Sequence, residues 1–278
     1  MLVRADCYLS AYVAGLSKYA LQPPWSLYSS AAPHIWLLQK TDGFFCLIDR
    51  GISSSSIDKI FATSESFFSL PDSTKTNVQF DAIKNAGWEK KSQIRPSTGV
   101  ADQKESYQMQ FGSNMDSMWL SDSDLPGFKE TSLVFMKQAK RYWDFITLLF
   151  QKGGQSGPEI CPGREVVTSF GAGDTWTKVE PVEGEIVCNI GDLLMSWSDD
   201  QFKSTLHRVK TPSDPEVDYF GPRYSIGYFN HPFMDCKIQG QMKKYPVVTG
   251  EEFTRKAKQE TMKIPSVNGG GATVQVGA

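Results

Sequence analysis

Apolar positions along the chain change from a helical to a strand-like spacing near residue 142, and no turn residue marks the change. Upstream, Phe128, Phe135, Ala139 and Tyr142 recur on a three-to-four-residue step. They predict a helix over about 127–142, with Asp124 as N-cap and Pro126 in the first turn. Directly after it, FITLLF (145–150) is a β-branched and aromatic run of strand length. A second helix is predicted in IDKIFATSESFFSLP. There Ile57, Ile60, Phe61, Ser64, Phe67 and Phe68 share one face, and Pro71 stops the element. The preceding DGFFCL reads as a short buried strand. Residues 79–106 are polar and turn-rich, so loops are expected around one strand at YQMQF. Beyond 142 the pattern is all-β: FITLLF, EIVCNI (185–190), LLMSW (193–197), TLHRV (205–209) and RYSIGYF (223–229), separated by polar and Gly-rich turns. A helical first half followed by a run of strands predicts a mostly β fold with flanking helices packed on a barrel or jelly roll. One domain over 1–278 is expected: an N-terminal helical and strand region (1–75), a jelly-roll core (145–230) and a Gly-rich, disordered tail (265–278).

Composition narrows the function classes. The chain is 40% hydrophobic, with 17 Phe, 10 Tyr and 7 Trp, which is ample for a globular core. A net charge of -2 argues against nucleic acid as a partner, because tracking phosphates needs a basic excess. No apolar stretch is long enough for a membrane span. Asp6 interrupts the region where a signal peptide would carry its apolar core. Cys7, Cys46, Cys161, Cys188 and Cys236 are odd in number, scattered and without a CxxC, the pattern of reduced cytoplasmic thiols. Oligomeric state has no signal here.

Candidate chemistry concentrates between 190 and 229. The chain has three His (34, 207 and 231). His207 lies in a strand-like segment; a lone His there is more often satisfied by a backbone carbonyl than used as a ligand. Arg223 and Ser225, spaced i, i+2, point to one face of a strand and together form a fork-shaped carboxylate receptor. Taken alone, Arg-x-Ser more often marks a surface ion pair.

The segments NIGDLL, WS, FKSTLHRV and PRYSIGYF, in that order, together with ITLLFQ, EICP, WTKVEP, DGFFCLIDRGI, FFSLP, GW and QKES, resemble the Fe(II)/2-oxoglutarate-dependent dioxygenases of the isopenicillin-N-synthase-like group. The resemblance spans most of 37–255. It implies a double-stranded β-helix (jelly roll), here incomplete. It implies an oxidoreductase that oxidises a small organic substrate with O2, using Fe(II) and the cosubstrate 2-oxoglutarate. Carried over, His207 is the distal His of a two-His, one-carboxylate iron site. Arg223 and Ser225 would bind the far carboxylate of 2-oxoglutarate. Isopenicillin N synthase uses the equivalent pair for a substrate carboxylate, so the pair alone does not identify the cosubstrate.

One departure stands out. Where the family carries H-x-D before the ITLLFQ strand, this chain has Lys140, Arg141 and Tyr142, and no His occurs between 34 and 207. Several dozen residues that family members hold between the LPGFKE-type helix and that strand have no counterpart, so the missing turn reads as a missing piece of domain. Asp144 is the nearest carboxylate to the vacant ligand position, and an ordinary strand-edge role suits it better. Lys140 or Arg141 would repel a cation there. His34 and His231 are not expected as ligands. Loss of core strands is expected to bare FITLLF and EIVCNI and favour aggregation. Three readings stay open: an oxygenase that recovers its ligands elsewhere, a catalytically silent relative that binds a small carboxylate, and a deletion form of an active enzyme arising by splicing or gene-model error.

Overall fold

The computed structural model describes residues 6–14, 43–47, 52–92, 103–140, 146–155, 157–162, 175–180, 182 and 185–261. His34, Arg141, Tyr142, Asp144 and the 265–278 tail, on which expectations were placed, lie outside these residues.

Helix α1 (Ser54–Ser69) is capped by Ser53, whose hydroxyl accepts from the Ser56 amide. It ends at Leu70, ahead of Pro71, and buries Ile60, Phe61, Ser64, Phe67 and Phe68 as the spacing predicts, with Ile57 partly buried. A single turn, α2 (Asp72–Lys75), follows. Helix α3 (Phe128–Ala139) buries Phe128, Ser132, Phe135, Met136 and Ala139. Its start differs from the expected Asp124 cap. The Ser121 hydroxyl donates to the Asp124 carboxylate at 2.6 Å, so that carboxylate serves the preceding turn. The cap is Gly127, at φ 70, a left-handed conformation that favours glycine, with its amide held by Asp122.

Twelve strands run through the described residues: β1 (Asp6–Ala14), β2 (Phe44–Leu47), β3 (Gly87–Lys90), β4 (Lys104–Gln110), β5 (Thr147–Gln151), β6 (Pro158–Ile160), β7 (Thr177–Lys178), β8 (Ile186–Asn189), β9 (His207–Val209), β10 (Arg223–His231), β11 (Lys237–Ile238) and β12 (Val248–Thr249). A seven-stranded sheet has the order β2-β8-β5-β10-β1-β4-β3. A three-stranded sheet, β7-β6-β9, and the pair β11-β12 complete the set. The strands at ITLLFQ, EIVCNI, HRV and RYSIGYF stand where the pattern placed them. GWEK forms β3 inside a stretch read as loop.

LLMSW is not a strand. Asp192–Trp197 forms helix α4, with Leu193, Leu194, Met195 and Trp197 all buried. A short, continuous apolar run has no period to separate a buried strand from a buried helix. A last helix, α5 (Gly250–Thr261), follows β12. The expected exposure of FITLLF and EIVCNI is also not found. β5 is paired on both sides, by β8 and β10, β8 lies between β2 and β5, and Leu148, Phe150, Ile186 and Val187 are buried.

Helices α1 and α3 cover one face of the large sheet through an aromatic cluster. Phe67 stacks on Phe128 with centroids 5.0 Å apart, Tyr107 of β4 lies 4.6 Å from Phe67, and Phe135 meets Phe150 of β5 edge-on at 4.9 Å. Beneath them Lys75 is buried, and its ammonium donates to the Glu105 carboxylate at 2.5 Å and to the Phe68 carbonyl at 3.1 Å. The Trp88 indole donates to the same Glu105 oxygen at 2.7 Å. Lys75→Met leaves that buried carboxylate without its cation and is expected to cost about 3 to 5 kcal/mol in urea unfolding. Lys75→Met with Glu105→Gln should recover a large part, and a loss below about 1 kcal/mol in the single variant would contradict the buried pair.

Candidate carboxylate-binding site

Alternation along β10 sets the site. Tyr224 packs toward α1, 6.5 Å from Phe68, so Arg223 and Ser225 on either side of it project to the opposite face, away from the helices. Both are buried, at 3% and 2% exposure. The Arg223 guanidinium donates to the Ser225 hydroxyl at 3.4 Å and to the Gln151 carbonyl oxygen at 3.5 Å. Register explains the third partner: Gln151, the last residue of β5, is paired with Ser225 across the antiparallel β5–β10 ladder. Its neighbour Phe150 packs on α3, which places Gln151 on the face shared with Arg223 and Ser225. Just beyond β5, the Gln155 side chain accepts from the Tyr224 amide at 2.7 Å and fixes the backbone between Arg223 and Ser225. The product is a buried guanidinium beside a hydroxyl and an amide, a donor set whose chemistry suits a carboxylate.

His207 stands on the other sheet. β10 pairs with β5 and β1, not with β9, so adjacency of the two strands is not how the fold relates Arg223 to His207. The imidazole is exposed and meets Phe44 of β2 edge-on, 5.4 Å between centroids. Its Nδ1 lies 3.0 Å from the Thr205 carbonyl; donation there leaves the lone pair on Nε2. Gly43, at φ +65, permits this approach of β2, since a Cβ would meet the Lys203 carbonyl oxygen at 2.2 Å. Register beside His207 is held by Arg208, which is paired with Glu159 at 2.8 Å and lies 3.8 Å above the Trp176 ring. The loop from β9 to β10 is tied by Asp218, whose carboxylate accepts from Lys210 and from the Ser213 and Asp214 amides. Those donors, Lys210 first, hold its carboxyl well below the ordinary range.

The remaining candidates are dispersed. Lys140 caps α3 and places its ammonium over Phe111, 5.3 Å from the centroid. His231 ends β10, half-buried and stacked on Phe229. Gln151 and Gln155 were not singled out from the sequence; the one available signal was a glutamine closing the apolar run ITLLF.

The family follows from comparison. The model of the 2OG-Fe(II) oxygenase superfamily matches residues 126–232, and that of the N-terminal region of non-haem dioxygenases in morphine synthesis matches 35–125. The two abut and together take in most of the chain, which belongs to the Fe(II)/2-oxoglutarate dioxygenase superfamily, a family of enzymes. It is 24% identical to the 2-oxoglutarate-Fe(II) type oxidoreductase ppzD of Metarhizium rileyi, over 77% of this chain and 80% of the relative. It is 26% identical to the proline hydroxylase buaE of Petromyces alliaceus, over 74% and 82%. The ppzD alignment runs to 294 positions and uses about 214 of the 278 residues here, so about 80 of its positions face no residue of this chain. Among solved structures, a full-length Neurospora crassa protein in complex with α-ketoglutarate and thymine superposes with a TM-score of 0.70 at 22% identity, covering 92% of this chain and 97% of that one. This likeness gives the fold, the double-stranded β-helix.

The family implies Fe(II) and 2-oxoglutarate. The residues fit the second: a buried Arg-Ser pair with an adjacent amide suits a carboxylate. Among the described residues no three His, Cys, Asp or Glu side chains converge as metal donors.

Proposed function

We propose that Arg223 and Ser225 form the receptor for the distal carboxylate of 2-oxoglutarate, in a chain whose iron centre is incomplete. The observation that carries the reading is the burial of the guanidinium beside Ser225 and a neutral glutamine, Gln151, on the face turned away from the helices. His207, whose Nδ1 lies 3.0 Å from the Thr205 carbonyl oxygen, is the one inherited iron donor, and Asp144 is at most a weak substitute. In the intact family the metal and cosubstrate together supply O2-dependent oxidation of a small organic molecule, and a small-molecule substrate is the corresponding partner here.

Of the three open readings we favour a deletion form of an otherwise active oxygenase. Its support is the set of about 80 unmatched positions in the ppzD alignment, the abutting family models and the absence of His between 34 and 207. A silent carboxylate-binding relative would share the same site. We place the protein in the cytoplasm on its scattered cysteines, of which Cys46, Cys161, Cys188 and Cys236 are free thiols. Among the described residues no helix is long and apolar enough to cross a membrane.

Calorimetric titration of 2-oxoglutarate into EDTA-treated protein tests the site. Arg223→Gln should weaken binding by about 100-fold or more, as expected when a charge-assisted bidentate contact is removed. Unchanged affinity in that variant overturns the assignment.

A further inference from the structure

Gln151 enters the site with one half of its amide unaccounted for. Its carbonyl oxygen accepts from the Arg223 guanidinium at 3.5 Å. Its Nε2 is buried and has no hydrogen-bond partner among the described residues, while the residue as a whole is 8% exposed. The orientation is chemically determined. Beside a guanidinium, which only donates, a primary amide must present its oxygen and turn its NH2 the other way. A buried amide donor without an acceptor costs free energy unless something fills the place. The strand pairing that sets Gln151 opposite Ser225 puts this donor on the same buried face as the Ser225 hydroxyl and the Arg223 fork. Gln155, four residues on, is already engaged with the Tyr224 amide and holds the ladder in place rather than serving the site.

We propose that Gln151 is a third contact for the carboxylate, with its Nε2–H donating to a remaining lone pair of one carboxylate oxygen; this rests on the Arg223–Ser225 reading above. Gln151 then has two roles. Its oxygen orients the guanidinium without neutralising it, and its NH2 adds a donor that a shorter or apolar side chain cannot supply. The ligand class is a small dicarboxylate, presenting one carboxylate to the three donors of Arg223, Ser225 and Gln151. The same donor set disfavours a ligand with a neutral amide or hydroxyl at that end, because buried donors would then compete for too few acceptor lone pairs.

The test uses the full chain in EDTA-containing buffer with 2-oxoglutarate and glutarate as probes. Gln151→Met, nearly isosteric, should weaken both ligands by about 10- to 100-fold, the range for a hydrogen bond to a charged partner. Gln151→Glu should abolish measurable binding, since its carboxylate pairs with Arg223 and repels the anion. Side-chain amide NMR provides a readout independent of folding losses. The pair of NH2 resonances missing from Gln151→Met should move downfield when glutarate is added to the unaltered chain. If Gln151→Met binds within twofold of the unaltered chain, or those resonances stay unmoved while the ligand binds, Gln151 is not a contact. If Arg223→Gln binds like the unaltered chain, or the unaltered chain binds neither probe, the carboxylate site itself fails. Should Gln151→Met unfold, Gln151→Asn keeps the amide but shortens its reach, and retention of full affinity in that variant also overturns the proposal.

Discussion

Supplied with Fe(II), ascorbate and 2-oxoglutarate under air, the 278-residue chain is expected to release no succinate above a protein-free control. The argument is one of donors. Fe(II) held by two His and a carboxylate gains two neutral nitrogens and one negative charge, and a single imidazole cannot compete with water for the ion. His207 is the only histidine between residues 35 and 230, and the described residues bring no trio of donors together. After desalting, iron should fall below about 0.1 per chain, as expected for a site with one neutral ligand. Inserting a family segment carrying H-x-D between α3 and β5 should restore iron binding and succinate release together. Stoichiometric iron with His207-dependent succinate formation in the chain as it stands would defeat this account, and Asp144→Ala would then identify the carboxylate.

Removal of residues 1–14 should leave the chain unable to unfold cooperatively. β1 lies in the middle of the large sheet, parallel to both neighbours, with nine register pairs to β10 and seven to β4. Without it the sheet falls into β2-β8-β5-β10 and β4-β3, and β10, which carries Arg223 and Ser225, gains a bare edge. At about 1 kcal/mol net per backbone hydrogen bond, losing on the order of ten bonds removes a margin of about 5 to 15 kcal/mol. Circular dichroism of the 15–278 fragment should show no sharp melt, and a peptide of residues 1–14 added in trans should recover one. A fragment that melts within a few degrees of the full chain would show that β1 is dispensable. The segment is notable because neither family model reaches it; the matches begin at residue 35.

What could be read from the chain depended on periodicity. The faces of α1 from Ile60 to Phe68 and of α3 carry a helical repeat, strands β5, β8 and β10 are runs of strand length bounded by turn residues or by α3, and all stand where the sequence pattern placed them. The pairing of Arg223 with Ser225 followed from strand alternation alone, and their common burial agrees with it. LLMSW has no repeat, and a helix formed where a strand was expected. The α3 cap moved from Asp124 to Gly127 because Ser121 claims the carboxylate, a competition invisible to a position-by-position reading. β1 and Gln151 share another cause. Their places depend on which strand lies beside which and in what register, and neither is written into the local pattern of DCYLSAYVA or ITLLFQ. The same holds for His207, whose strand pairs with β6 and not with β10.

The central claim, a carboxylate receptor that outlasts its iron centre, is tested most directly by titrating 2-oxoglutarate calorimetrically with and without anaerobic Fe(II). In a complete oxygenase the keto acid also ligates the metal, so iron strengthens its binding. Here the account predicts the same dissociation constant in both titrations, lost in Arg223→Gln. An affinity that rises about tenfold or more with Fe(II), equivalent to about 1.4 kcal/mol, and that returns to the metal-free value in His207→Ala, would contradict it.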